Sequence, residues 1–484
     1  MIGRIMSHEW RLLLREKLLF ITIPIYAVLI MYGVYNGSAW RDFLTANTTA
    51  ASAMADTNFS NLQAALARIE SGAPFGPYED PRNPGRFART MAYENAAKLP
   101  SPTAGIAIGQ SDVYPSYLRV QWRALFNTSN TDEIENPTNL AVGRFDLSFV
   151  LIYLYPLLII ALSYNILSSE RENGTQALLL SQPVSINQFV AGKILSRGII
   201  IVGIAVGMSL LGMILSNPDI LSGGGFARMV MWGLVIAVYG VFWFGLAVLV
   251  NAFANKSSTN ALILMSGWLL LVLIVPAALN LISKSAYPLP SRIELVQAMR
   301  RGDALAQKEA AAAPTELSDP DSAELASRVG EEATLTSINN FNKRILPIEL
   351  RGEAVAAPTF EKFQSQLAAQ QALAERLKYL SPAILSHDAM SEIAGNSTAS
   401  FADFRKQVAA YHKSWREYFY DRVMSDKMLT MEEIKGVPRF KYTPEADDTV
   451  MGRVFGSLVS LVVFSSVVLA LGFAFLRRYP VAGR

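Results

Sequence analysis

The chain of 484 residues contains no cysteine. Disulfides and thiolate metal sites are excluded, and the redox compartment stays open. Histidine is scarce too: His8, His387 and His412 lie far apart, with no metal-ligand spacing between them. Charge is thin, with Asp, Glu, Lys and Arg at 17% against about 25% in an ordinary soluble domain. A formal net charge of +3 is too small to argue for nucleic acid as a partner. No GxxxxGK[ST] phosphate loop occurs anywhere, so the chain lacks the usual cradle for a nucleotide. Leu221-Ser222-Gly223-Gly224-Gly225 imitates the signature loop of ATPases. Without a phosphate loop it reads as a flexible turn.

What the chain has is apolar surface. Hydrophobic residues make up 51%, and the mean hydropathy is +0.26. Crossing a membrane takes about 20 mainly apolar residues. Six stretches meet or approach that: 18–35, 148–168, 194–215, 230–250, 259–282 and 453–476. The first is too long for a removable signal peptide and lacks a cleavage site. Basic residues near the span ends set the orientation. Arg4, Arg11, Arg15 and Lys17 precede the first span; Arg171 and Lys193 flank the second connection; Lys256 precedes the fifth span; Arg477, Arg478 and Arg484 follow the last. Six spans place them all on one side, expected to be the cytoplasm. Residues 36–147 and 283–451 then form two large periplasmic segments, and 169–193 and 477–484 are cytoplasmic. The expected fold is a mainly α membrane protein with six transmembrane helices and two large, mostly helical periplasmic insertions. Residues 1–17 place Arg4, His8, Arg11 and Arg15 on one side of a helix and apolar residues on much of the other. That is the pattern of an interfacial helix lying on the inner leaflet.

The middles of the spans carry no Asp, Glu, Lys or Arg. Arg197, in the first turn of the third span, is close enough to the membrane surface to snorkel out. Ion-coupled transporters place an ionisable group deeper, because the coupling ion must bind something. Any energy used is therefore expected to come from outside the bilayer. Pro24, Pro156 and Pro276 are candidates for kinks. Gly203 and Gly207 form a GxxxG, suited to packing within the subunit or to a subunit interface.

In the second external segment, Phe401, Phe404, Val408, Tyr411, Trp415, Tyr418 and Arg422 recur by three and four, widened by Phe419 and Val423. Phe360, Phe363, Leu367, Leu373 and Leu377 do something similar, and Ser381-Pro382 punctuates the connection. Two helices packed together outside the membrane fit this spacing, with the aromatic stripe as core rather than ligand site. Ala310–Pro320 reads as a linker. The first external segment opens with a helix near Asn61–Ile69, then turns Gly/Pro-rich over Ser71–Arg86. No enzyme constellation is present: Glu432-Glu433 and Asp447-Asp448 are sequence neighbours, and His387-Asp388 and His412 lack a nucleophile setting.

One segment remains. After the second span come Glu170-Arg171-Glu172-Asn173-Gly174-Thr175, Leu178-Leu179-Leu180, Pro183-Val184-Ser185 and Gly192-Lys193. In that order, between two spans, they resemble bacterial ABC type-2 permeases of the type V exporter kind. Gln176 departs from the apolar residue expected after Gly-Thr. The stretches Gly109–Pro115, Glu135–Val150, Tyr287–Arg292, Tyr379–Leu385 and Ala394–Val408 are similar to the branch with a large external domain of unknown function. The resemblance implies an export permease in the bacterial inner membrane, with both termini cytoplasmic. A separate ABC ATPase subunit would bind ATP and Mg, leaving this chain no cofactor, metal or catalytic residues. A second permease subunit, identical or paralogous, and a periplasmic partner complete the expected assembly.

The resemblance also implies that 169–193 is a coupling loop docking on the ATPase, with Glu170, Arg171, Glu172, Gly174, Thr175 and Lys193 as its coupling residues. The residue types suit the role. The acids flanking Arg171 read as solvent-facing charges for a polar cleft. Gly174 permits a sharp turn, and Thr175 is placed to cap the next helix. The plain alternative is a generic positive-inside loop. Two other functions stay open: ATPase-driven signalling to a periplasmic partner without transport, and a membrane-anchored periplasmic hydrolase.

Overall fold

The computed structural model describes every residue except 1, 16, 77–78, 124–143, 176–183, 222–223, 254–255, 313–330 and 480–484. The apolar runs form helices because backbone in lipid must satisfy its own hydrogen bonds, and a helix does so within one segment. Helix α1 (Ile2–Leu13) precedes α2 (Lys17–Glu70), α3 (Leu147–Glu172), α4 (Ile186–Ser216), α5 (Gly225–Asn251) and α6 (Ser257–Ala286). Then come α7 (Arg292–Ala312), α8 (Glu331–Leu377), α9 (Pro382–Ala394), α10 (Thr398–Met424) and α11 (Asp447–Leu476). Among the described residues six helices, α2 to α6 and α11, are long and apolar enough to cross a membrane. Each contains one of the six expected ranges. The chain is a mainly α membrane protein.

The break expected after residue 35 does not occur. α2 continues unbroken for 54 residues, about 81 Å at 1.5 Å per residue. Its buried face explains why: Tyr26, Ile30 and Val34 are followed by Trp40, Leu44, Thr48, Ala51, Ala55, Phe59, Leu62 and Leu66, nearly all three or four apart. The helix expected near Asn61–Ile69 is thus the end of the first span's own helix. Pro156 and Pro276 each follow a π segment by two residues, Val150–Leu154 and Leu269–Ile274. Proline lacks an N–H and crowds the carbonyl four residues back, and the wider turn absorbs both effects. A Cβ added at Gly203 or Gly207 would meet nothing within 4 Å. That face is left for lipid or a second subunit.

The two insertions build a head on the bundle end opposite the 168–193 connection. An antiparallel pair, β1 (Glu94–Ala97) and β2 (Tyr117–Val120), sits within it, with Glu94 opposite Val120. This sheet was not foreseen in insertions read as mostly helical. The head's core gathers Phe59 and Leu66 of α2, Phe87, Trp122, and Phe404, Val408, Trp415, Phe419 and Val423 of α10. Trp415 meets Phe59 edge to face with centroids 6.3 Å apart. The aromatic stripe is core, as expected; Tyr418 and Arg422 sit at its margin, the guanidinium 3.6 Å from the ring centroid. The stripe Phe360–Leu377 is not buried against α10. α8 packs instead along α7, where Gly302 and Gly352 bring the two backbones together. The linker expected over Ala310–Pro320 lies, beyond Ala312, outside the described residues.

His412 is buried in the head, and its Nε2 donates to the Arg123 carbonyl at 2.8 Å. Burial, then the Arg416 charge, pushes the imidazole down to about 4. The unfolded chain takes up this proton at its ordinary, higher pKa of about 6.5. The stabilising contribution is therefore full above about 6.5 and is lost as pH falls toward 4. The difference in unfolding free energy between wild type and His412→Gln should shrink by up to about 3 kcal/mol between pH 7 and pH 4. Denaturant titrations across that range check it.

Candidate functional site

The expected coupling residues cluster where α3 ends. The Gly174 N–H donates to the Arg171 carbonyl at 3.1 Å and the Thr175 N–H to the Glu170 carbonyl at 2.9 Å. This is a Schellman closure, and it needs a left-handed residue at its turn. Gly174 supplies it, with φ of 71°. The next eight residues, with Leu178–Leu180 and Pro183, lie outside the described residues. Ser185 and Gln188 then cap α4 through a reciprocal capping box. Thr175, expected to cap the following helix, turns its hydroxyl back to the Glu170 carboxylate at 2.5 Å.

Glu170 is half-buried and already partnered. Its Oε1 accepts from Lys193 Nζ at 2.8 Å. Lys193 is only 4% exposed; it also donates to the Ile166 carbonyl at 3.2 Å and lies 4.8 Å from the Phe189 ring centroid. A buried ammonium is costly without a counter-charge, and Glu170 provides it. Glu172 is exposed, yet its carboxylate accepts from the Ser257 N–H at 2.7 Å and the Ser257 hydroxyl at 2.8 Å. First-turn N–H groups have no partner inside their helix, so Glu172 caps α6. Of the two acids read as solvent-facing, Glu172 is exposed and Glu170 is half-buried, and both act as braces, Glu170 to α4 and Glu172 to α6. Arg171 is half-buried near Tyr479; burial raises that phenol's pKa, and the Arg171 charge offsets part of the rise. Glu172, Asn173, Gly174 and Thr175 form the exposed tip.

Behind the tip, Asn251 ties three helices. Its Oδ1 accepts from the Leu167 N–H at 3.3 Å and from Asn260 Nδ2 at 3.2 Å, and its Nδ2 donates to the Ser163 carbonyl at 3.3 Å. Ile166, Leu167, Phe189, Val190, Val248, Ala252, Leu476 and Tyr479 pack as a small core uniting α3, α4, α5 and α11.

Arg197 does not snorkel. It is 8% exposed, and Glu9 of α1, 3% exposed, neutralises it. Its Nη2 and Nε reach Glu9 Oε1 at 2.7 and 3.0 Å, and its Nη1 donates to the Leu162 carbonyl. α1 therefore lies along α4, with Trp10, Leu12 and Leu14 exposed. Glu9, Asn251 and Ser257 escaped the sequence reading. An arginine in an apolar run, which needs a counter-charge, was the available signal, though it does not say which acid supplies it. Among the described residues no group of three His, Asp or Glu side chains is placed to hold a metal ion.

Six helices long and apolar enough to span a membrane among the described residues, a head folded from two insertions, and a braced connection after the second of them define a multi-pass membrane protein. The chain belongs to the ABC-2 family transporter proteins, whose family model matches residues 4–479. Membership makes it a component of a membrane transporter that associates with an ABC ATPase subunit. Among curated proteins, none matches the chain.

Proposed function

We propose that the chain is the permease subunit of an ATP-driven exporter in the bacterial inner membrane. The observation that carries this reading is the braced tip at Glu172–Thr175, exposed at its end yet tied at its base to α4 through Glu170 and to α6 through Glu172. A push on such a tip moves three spans together. The ATPase, a separate subunit holding ATP and Mg, would grip the tip with Glu170, Arg171, Glu172, Gly174, Thr175 and Lys193 as its rigid seat. Both termini and the tip lie in the cytoplasm, and the head lies in the periplasm, open to a partner there. A second permease, identical or paralogous, completes the pathway; the open face at Gly203 and Gly207 offers it a close approach.

A second reading is favoured by α2, which runs from bundle into head as one helix. The ATPase stroke would then be passed to the head without a substrate crossing. Purification from native membranes followed by vesicle assays separates the two. Export predicts ATP-dependent accumulation of a co-purifying compound in inverted vesicles. Signalling predicts ATP-dependent change in the head and no accumulation. No ATPase among the co-purifying proteins would refute both.

A further inference from the structure

Asp146 stands at the head end of α3 and is 3% exposed. Its two oxygens serve different partners. Oδ1 accepts from the Ser148 hydroxyl at 2.8 Å and the Phe149 N–H at 2.7 Å, capping its own helix. Oδ2 accepts from the Ile108 N–H at 2.7 Å, 38 residues earlier in the chain. A cap alone needs only the first oxygen.

The strand of chain around Ile108 is held on its other side by α9. Asn396 Nδ2 donates to the Ala104 and Ala107 carbonyls at 2.9 and 2.7 Å, and the Gln110 N–H donates to the Asn396 carbonyl at 2.9 Å. The last carbonyls of a helix have no partner within it. Here Thr103, Ser101 and Lys98 satisfy those of Ile393, Ala394 and Gly395 at 2.7, 2.6 and 2.9 Å. Gly395, with φ of 73°, then turns the chain toward α10, the helix at the centre of the head's core. Segment 98–111 is thus gripped by α3 on one side and by the α9–α10 junction on the other.

We infer that Asp146 is a positioning residue through which α3 moves the head. The inference rests on the proposed reading that an ATPase drives α3 from the opposite end. α2 also passes into the head, so Asp146 carries a share of the motion rather than all of it. The coupling is a contiguous set of hydrogen bonds, and it runs beside other ties: Trp40 Nε1 of α2 donates to Ser111 Oγ at 2.8 Å, and Arg228 of α5 donates to the Ile393 carbonyl at 2.9 Å.

Two substitutions separate latch from cap. Asp146→Ser keeps an N-capping oxygen but is too short to reach Ile108. Asp146→Asn keeps the side-chain length but has one acceptor oxygen for two duties. In the complex with its ATPase, spin labels on Leu215→Cys, at the end of α4, and Ser71→Cys, at the end of α2, report the distance between bundle and head. Adding ATP should shift that distance in the wild-type background. In Asp146→Ser the shift should fall below half, with ATPase association retained and the unfolding midpoint little changed. Asp146→Asn should behave alike, and decides the matter if the serine variant does not fold. An undiminished shift overturns the latch while leaving the ATPase reading intact. No shift in the wild-type background overturns the ATPase reading and this inference with it.

Discussion

Glu9→Ala should destabilise the protein by about 3–5 kcal/mol, far more than an ordinary surface change, because it strands a buried guanidinium. Arg197 would keep only the Leu162 carbonyl, and a peptide oxygen does not replace a carboxylate. Replacing both partners by leucine should recover most of the loss, since removing a buried pair outright is often near neutral. Unfolding in detergent, followed by tryptophan fluorescence, measures the cycle. Equal losses in the single and double variants would mean the pair contributes no more than its separate volumes. A loss confined to Glu9→Ala would show that α1 is part of the folded bundle and not a loose lead-in.

Glu170→Ala should abolish coupling. The substitution removes the counter-charge of buried Lys193 and the acceptor for Thr175, and with them the tie from α3 to α4. Truncating one member of such a pair costs on the order of 2–5 kcal/mol, whereas a rim charge costs much less. The expected phenotype is an inserted permease whose ATP-driven transport falls at least tenfold, by vesicle assay. Glu170→Gln should retain part of the activity, because an amide still accepts from Lys193. Glu432→Ala, an exposed change in the head, should leave transport unchanged. Wild-type transport by Glu170→Ala would reduce the connection to a topological marker.

The difference between these two cases shows what the sequence carried. Spans were legible because lipid imposes one rule on every residue in them, and the stripe from Phe401 to Val423 because helical spacing reports its own buried face. Gly174 was legible as a turn because its conformation is local. Partnerships across the fold were not. Nothing near Glu170 in sequence says that its oxygen faces Lys193 and not solvent, and nothing near Arg197 points to Glu9, 188 residues away. The unbroken α2 was missed for a related reason. The hydropathy falls after residue 35 because the exposed face turns polar, with Asp42, Thr45 and Thr49 outward, while the three-and-four spacing of the buried face runs on.

The central claim is that a separate ATPase grips the connection after α3. The absence of cysteine allows a direct measurement. A photo-crosslinker attached at Asn173→Cys, on the exposed tip, is activated in native membranes and the product identified by mass spectrometry. The same reagent at Ser71→Cys, at the far end of α2, serves as comparison. The expected result is a covalent adduct between Asn173 and an ABC ATPase subunit, strengthened by trapping with a non-hydrolysable nucleotide, and none from Ser71. An ATPase adduct from Ser71 with none from Asn173 would contradict the account.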